Sequence, residues 1–473
     1  MIVSRSSRPV PGVLLWSLLL AAISGCSPAP KLGERNASPV GIPSMAVVTQ
    51  VAATSTTSET VEPNLSPLPS AIPSATSTIP PTLTPDWRLD LDQGHAEIRY
   101  EIPLTTQHVT PRAAILFFDL NLGVDGRVFY WRSDQAISSA AWVAVSGAEG
   151  RQQVKLDGLA PGVEYLAAVG ILAGETLYRP PLFYDAVWGP VRFRTPSIAQ
   201  ETWRVGVLGD SGFGEQRTFD LVEQMAAEGL DFTLHMGDVV YKVEQNASPP
   251  QAFRNKFFEP FAPVLKQMPL YPVVGNHEWD EPTEWGGVPY YYWTFPGFDL
   301  DDAERGTGGF RHEYYAFSYG DVQFLMLNTQ ILLLDGRGSD QDEWLVERLA
   351  DEAYQYSIPV FHVAPYTSGL HTFDGRAVRE RWGPLFEAAD VPLVLSGHDH
   401  NYERLEVNGI TYIVSGGGSS VLYALRNRVS GSQEFVSATH YVVMELSPQE
   451  IHLMAVEIGG RVLDQARVPV PAH

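Results

Sequence analysis

Seven side chains able to coordinate a cation stand at or just beyond short apolar runs of this sequence: Asp210, Asp238, Asn276, His277, His362, His398 and His400. Asp210 follows Val205 to Leu208, Asp238 follows Phe232 to Met236, and Asn276 and His277 follow Leu270 to Val274. His362 lies within Pro359 to Val363, and His398 and His400 follow Leu393 to Ser396. Carboxylate, amide oxygen and imidazole suit hard or borderline cations, and the lack of thiolates in the set excludes iron–sulfur and cysteine-zinc sites. A two-metal centre hydrolysing phosphate esters fits those donors. Any one piece alone reads as structural, because Gly-Asp after a strand is often a turn whose carboxylate caps backbone amides. No core needs this many coordinating groups at strand ends.

The elements that must position them alternate. After Glu201, strands alternate with helical stretches at Phe219 to Ala227 and near 251 to 267, 339 to 354 and 377 to 389, which predicts a sheet covered by helices. Ligands of open α/β sheets gather at the carboxyl ends of strands, so these separate segments can meet at one point. Another strand is expected at Gln323 to Leu327, and Tyr441 to Leu446, Ile451 to Ile458 and Arg461 to Val468 complete a sheet as hairpins. Thr283 to His312, crowded with Trp285, Tyr290, Tyr291, Tyr292 and Trp293, reads as a long rim loop whose aromatics pack over the core.

Upstream the pattern changes. Between about Trp87 and Pro196, short alternating runs such as Val128 to Trp131 and Glu164 to Val169 are separated by turn signals, which predicts an all-β sandwich. From Ser27 to about Pro85, Ser, Thr, Pro and Ala dominate, a composition that buries no core and reads as an extended tether. Arg5 and Arg8 precede the apolar run Val13 to Ala22, which ends in Ile23-Ser24-Gly25-Cys26. That run is too short and too early for a membrane span and reads as a signal peptide. Ile-Ser-Gly-Cys resembles the lipobox of bacterial lipoproteins, which implies that Cys26 is lipidated and that the chain is exported and anchored to the cell envelope. Cys26 is the one cysteine, so no intramolecular disulfide can form.

The 473 residues include 44% apolar, 11% aromatic and 18% charged positions, enough for a sizeable core, and the length suggests two folded domains with tails. A net charge of −23 argues against a nucleic-acid scaffold as partner. It does not exclude a phosphate substrate, provided that bound metals make the site positive.

Taken together, Gly209-Asp210-Ser211-Gly212, Gly237-Asp238-Val239-Val240-Tyr241, Gly275-Asn276-His277-Glu278, His362-Val363-Ala364-Pro365-Tyr366 and Gly397-His398-Asp399-His400 resemble the calcineurin-like metallophosphoesterases in order and spacing. Within that superfamily the chain is most similar to the purple acid phosphatases, since Gly212 stands where many relatives carry histidine and Tyr241 follows Asp238 by three. Leu159 to Tyr165 resembles the tyrosine corner of fibronectin type III domains, which those phosphatases also carry ahead of the catalytic part. The resemblance implies a four-layer αββα metallophosphoesterase sandwich over 203–473, preceded by a fibronectin type III-like domain over 86–197, with the tether at 27–85 and the signal peptide at 1–26. By position it implies that Asp210, Tyr241 and His400 hold one metal, that Asn276, His362 and His398 hold the other, and that Asp238 bridges. The implied pair is Fe(III) with Zn(II), Mn(II) or Fe(II). Two aspartates and a phenolate set about three negative charges against roughly five positive ones, leaving about two for hydroxide and phosphate.

The implied reaction is hydrolysis of phosphate monoesters by in-line attack of a metal-activated hydroxide. His277 and His371 are the candidates for phosphate contact and for protonating the leaving alcohol. The plant enzymes have adjacent histidines where His371 is followed here by Thr372, so one expected acid is missing. Asp399, Tyr366 and Arg404 are read as braces. The alternatives are a phosphodiesterase or nucleotide-hydrolysing enzyme of the same chemistry, and an inactive surface binding protein, against which the full ligand set speaks.

Overall fold

A computed structural model describes residues 88–472 except 95–96, 147–150, 174–175, 180–187, 200–201, 247, 280–286, 296–312 and 336–337. The expected signal peptide, Cys26 and the tether at 27–85 lie outside the described residues. No described helix is long and apolar enough to cross a membrane.

The first part is all β. Its strands are β1 (Arg88–Gly94), β2 (Tyr100–Val109), β3 (Ala113–Leu120), β4 (Gly126–Arg132), β5 (Ala141–Val145), β6 (Gln152–Asp157), β7 (Glu164–Ala173), β8 (Thr176–Arg179) and β9 (Val191–Arg194). They form two sheets, one ordered β1-β8-β7-β4-β5 with β9 also on β7, the other β2-β3-β6. Alternation sets the inner faces: Val191 and Phe193 of β9 are buried while Arg192 and Arg194 are exposed. Tyr165 stacks on Phe193 at 5.6 Å, and its hydroxyl accepts the Ala160 amide at 2.9 Å, so the segment read as a tyrosine corner closes on itself.

The α/β part begins with β10 (Trp203–Leu208), β11 (Phe232–His235), β12 (Leu270–Pro272), β13 (Tyr315–Tyr319), β14 (Val322–Met326), β15 (Tyr356–Val363) and β16 (Leu393–Gly397). It continues with β17 (Tyr402–Val407), β18 (Ile410–Ser415), β19 (Ser432–Val436), β20 (His440–Leu446), β21 (Glu450–Glu457) and β22 (Val462–Pro469). One mixed sheet runs β12-β11-β10-β20-β21-β22 and the other β13-β14-β15-β16-β18-β17-β19. The helices are α1 (Gln216–Ala226), α2 (Pro249–Phe253), α3 (Ala262–Leu265), α4 (Asn276–Trp279), α5 (Gly287–Thr294), α6 (Gly338–Leu349) and α7 (Arg376–Ala388).

Inner-face side chains of the two sheets share one core, Val205, Phe232 and Leu234 from the first with Phe324, Ile358 and Leu395 from the second. Helix α1 buries Thr218, Leu221, Val222 and Met225, the spacing of one helical face, against the outer side of the first sheet. Helices α6 and α7 cover the second sheet through Leu345, Trp382 and Phe386. Each such side chain taken from water contributes about 1.5–3 kcal/mol, which is what holds helix, sheet, sheet and helix in register as four layers.

The all-β part is fastened to the α/β part by the Arg192 amide donating to the Lys266 carbonyl at 2.7 Å and by a 3.0 Å hydrogen bond between His108 Nδ1 and the Tyr271 hydroxyl. The expected rim loop differs from expectation in its middle, where α5 forms and buries Tyr291 and Tyr292. Its run of consecutive aromatics has no polar period to betray a helix. Phe295, just after α5, packs 5.4 Å from Phe257, so these aromatics do pack; the rest of that segment lies outside the described residues.

Burial holds His108 and His440 down to about 4 from an ordinary 6.5. The unfolded chain therefore binds more protons between those values, so stability is full above about pH 6.5 and falls as pH drops towards 4, by about 3 kcal/mol for each imidazole. Urea midpoints taken from neutral pH downward should show that fall, and His108→Asn should make it shallower.

Candidate metal centre

The strand ends of the two sheets meet at one edge, and the backbone there turns sharply. Asp210, Asp238 and His398, just beyond β10, β11 and β16, have φ of 60°, 54° and 69°. This left-handed region costs a side-chain-bearing residue about 1–2 kcal/mol. The neighbouring glycines make room for the turned side chains. A Cβ on Gly275 would lie 2.1 Å from Asp238 Oδ1, and one on Gly397 would lie 2.5 Å from Asp210 Oδ2. At Gly212 a Cβ would come within 2.5 Å of the Val239 and Val240 backbone, so no histidine fits there. The Gly212 carbonyl instead accepts the Tyr241 amide at 2.9 Å, and the phenol comes in from the second loop.

Two histidines have their tautomers fixed by the main chain. His362 Nδ1 lies 2.7 Å from the Met236 carbonyl, and His400 Nδ1 lies 2.7 Å from the Val421 carbonyl. A carbonyl only accepts, so each Nδ1 carries the proton and each Nε2 offers a lone pair to the centre. His362 Nε2 then faces Asn276 Oδ1 at 2.9 Å and Asp238 Oδ1 at 3.4 Å, three acceptors with no hydrogen between them. Beside it, Tyr241 Oη lies 3.2 Å from Asp210 Oδ1 and 3.0 Å from His400 Nε2, one phenol proton for two acceptors. This shortage of protons is what a cation would relieve, so the residues present fit a metal centre.

The third histidine stands differently. His398 donates its amide to Asp210 Oδ2 at 2.9 Å, and its ring centre is 5.0 Å from that of His362. Its Nε2 is 3.1 Å from Asp374 Oδ2, which leaves Nδ1 as the ring nitrogen for a cation. Ligand atoms of Asp210, Asp238 and His362 lie within 4.8 Å of one another. Burial would raise the Asp210 pKa, but the imidazoles of His362, His400 and His398 hold it below the usual carboxylate range. Burial, then the Asp238 and Asp210 carboxylates, push the Tyr241 phenol well above its ordinary value, so a phenolate there needs a strongly charged cation.

The two candidate proton donors flank this cluster. His277 donates its amide to Asp238 Oδ1 at 3.0 Å, with its ring 4.4 Å from that of Tyr241. His371 sits 4.2 Å from the His398 ring, its Nδ1 2.8 Å from Asp374 Oδ2. Of the expected braces, Asp399 accepts the Leu370 amide at 2.8 Å and the Thr367 hydroxyl, fixing the loop that carries His371. Arg404 pairs with Asp464 at 2.7 Å, and Tyr366 packs edge-on against Tyr412.

Sequence reasoning missed three residues here. Glu278 is fully buried and accepts the amides of Gly275, Asp238 and Val240 at 2.8, 3.1 and 3.1 Å, binding the Asn276 loop to the Asp238 loop. Its signal was an acid directly after His277. Asp374 joins His371 to His398, and an acid three residues after a histidine was its only trace. Tyr423 stacks on His400 at 4.3 Å, and nothing local marked it.

Residues 204–402 match the calcineurin-like phosphoesterase family, a span that contains all seven ligand-type residues. The chain is similar to tartrate-resistant acid phosphatase type 5 of Mus musculus, 23% identical over 304 residues that make up 57% of this chain and 90% of that protein. It is similar also to purple acid phosphatase 18 of Arabidopsis thaliana, 28% identical over 209 residues, 42% of this chain and 43% of that one. In fold it resembles purple acid phosphatase PPD1 from yellow lupin (Lupinus luteus) seeds, with a TM-score of 0.62 at 16% identity, covering 77% of this chain and 74% of that chain. The 204–402 stretch thus matches a calcineurin-like phosphoesterase domain, and the chain is a phosphoester hydrolase.

Replacing Glu278 by Gln leaves one of three buried amides without its acceptor, so a loss of about 1–3 kcal/mol in urea stability and a 10- to 100-fold weaker hold on metal, about the range for outer-shell changes, are expected. Gly212→Ala should likewise destabilise by about 1–3 kcal/mol through overpacking, read from the same denaturation curves.

Proposed function

We propose that the protein is an exported, lipid-anchored phosphomonoesterase with a binuclear metal centre of the purple acid phosphatase type. The observation that carries this reading is the bare acceptor cluster of His362 Nε2, Asn276 Oδ1 and Asp238 Oδ1 beside the Asp210, Tyr241 and His400 group. Asp210, Tyr241 and His400 would hold Fe(III), Asn276, His362 and His398 would hold Zn(II), Mn(II) or Fe(II), and Asp238 would bridge. Bound there, the two ions supply a nucleophile at moderate pH and positive charge for the phosphoryl oxygens.

The chain's own groups do the rest. Asp374 accepts a hydrogen bond from His371 Nδ1, which leaves Nε2 for phosphate contact or for giving a proton to the leaving alcohol. His277, fixed by its amide on Asp238 and its ring beside Tyr241, serves as the second polar contact. The Tyr165 corner supports reading the all-β part as a fibronectin type III-like spacer. Residues 27–85 serve as the tether, and Cys26 as the lipid attachment.

Chain loaded with iron and zinc should hydrolyse a chromogenic phosphate monoester in preference to its diester under acidic conditions, and Asp238→Asn should cut that rate by about a thousandfold or more. Diester preference would move the reading to a phosphodiesterase, and no turnover with both metals bound would move it to a binding role. In a cell that processes lipoproteins, Cys26→Ala should shift the protein from the membrane fraction to the soluble one.

A further inference from the structure

Among the described residues, four of the large apolar side chains left open to solvent share two loops beside the metal centre. Leu370 (43% exposed) and Phe373 (85%) bracket His371 between β15 and α7, and Val421 (39%) and Leu425 (44%) bracket Tyr423 between β18 and β19. The loops are tied together at Ser368, whose carbonyl accepts the amides of Arg426 and Asn427 at 2.8 and 3.2 Å and whose hydroxyl accepts that of Val429 at 3.0 Å. Both reach the centre itself. The Val421 carbonyl fixes His400, and the Tyr423 ring lies 4.3 Å from His400 and 5.5 Å from His371. The carboxylate on this rim, Asp374, is already engaged by His371 and His398.

Exposed apolar side chains on two tied loops that border a polar centre point to a surface that is covered during function. If a phosphate held at the centre directs its alcohol oxygen towards His371, the carbon skeleton beyond that oxygen meets these two loops. A polyhydroxylated alcohol would leave Phe373 and Leu425 wet; a hydrocarbon one covers them. We propose that these loops form the leaving-group subsite and that it takes the apolar alcohol of a phosphate ester, an aryl or medium-chain alkyl group. This rests on the reading of the centre as the phosphoester-hydrolysing site.

Non-hydrolysable phosphonates separate the two ideas. The metal-loaded full chain is titrated by calorimetry with methyl-, butyl- and hexylphosphonate, beside a Phe373→Ser/Leu425→Ser double variant and a Val346→Ser control at an exposed position of α6. In wild type and control, Kd should tighten at least about tenfold from methyl to hexyl, as burial of several methylenes requires. In the double variant the gain should fall below about threefold, with methylphosphonate affinity unchanged, which also shows that its centre is intact. A flat series in wild type, or a full gain retained in the double variant, overturns the subsite while leaving the phosphate site standing. Failure of every phosphonate to bind overturns the reading of the centre and the subsite with it.

Discussion

Two buried carboxylates, Asp210 and Asp238, are held at the ends of adjacent parallel strands, and much of the surrounding architecture answers that one demand. Burying a charge costs several kcal/mol unless it is paired and hydrogen-bonded. Asp210 receives the amide of His398, Asp238 receives that of His277, and imidazoles crowd both. The left-handed backbone at both aspartates, and the glycines whose missing Cβ atoms leave space beside them, are the local strain that functional sites store and the packed sheets sustain.

Around this pair the chain uses further buried acids to shape its backbone. Glu278 gathers amides from two strand-end loops, Asp399 gathers those of the loop carrying His371, and Glu403 takes both the amide and the hydroxyl of Ser368. Glu278 and Asp399 fasten one loop to another, and Glu403, on β17, fastens the Ser368 loop to the second sheet. The run Gly416-Gly417-Gly418 belongs to the same device: a Cβ at Gly416 would lie 2.3 Å from the Asp399 carbonyl, and one at Gly418 would lie 2.4 Å from that of Gly209. Side chains positioned in this way inherit the rigidity of the loops beneath them.

The ligand-type residues were legible in the sequence because each stands at the end of an apolar run or just beyond it, and strand ends are where such residues converge. The layered fold was legible for the same reason, with β10, β11, β15 and β16 near their expected limits. What escaped was whatever depended on tertiary partners. β13 and β17 to β19 lack the flanking signals of a βα unit and exist by pairing with neighbours already in place. Asp374, Glu278 and Tyr423 have ordinary local contexts; only the folded chain sets an acid between two imidazoles, or a ring 4.3 Å from His400. His371 stood out in the sequence, but not the carboxylate that orients it.

The strand that leads into Asp210 has a consequence for how the molecule is made. In the first sheet β10 lies between β11 and β20, with Trp203 opposite Leu446 and Val207 opposite Val442. The nascent chain therefore presents Asp210, its first ligand-type residue, long before the antiparallel neighbour of that strand has been synthesised. Contacts so distant along the chain must pay loop-closure entropy before they reward it, and folds rich in them form slowly. The centre is thus a late product of assembly: until the closing β20–β22 meander docks, the polypeptide carries its coordinating groups without the geometry that makes them a site.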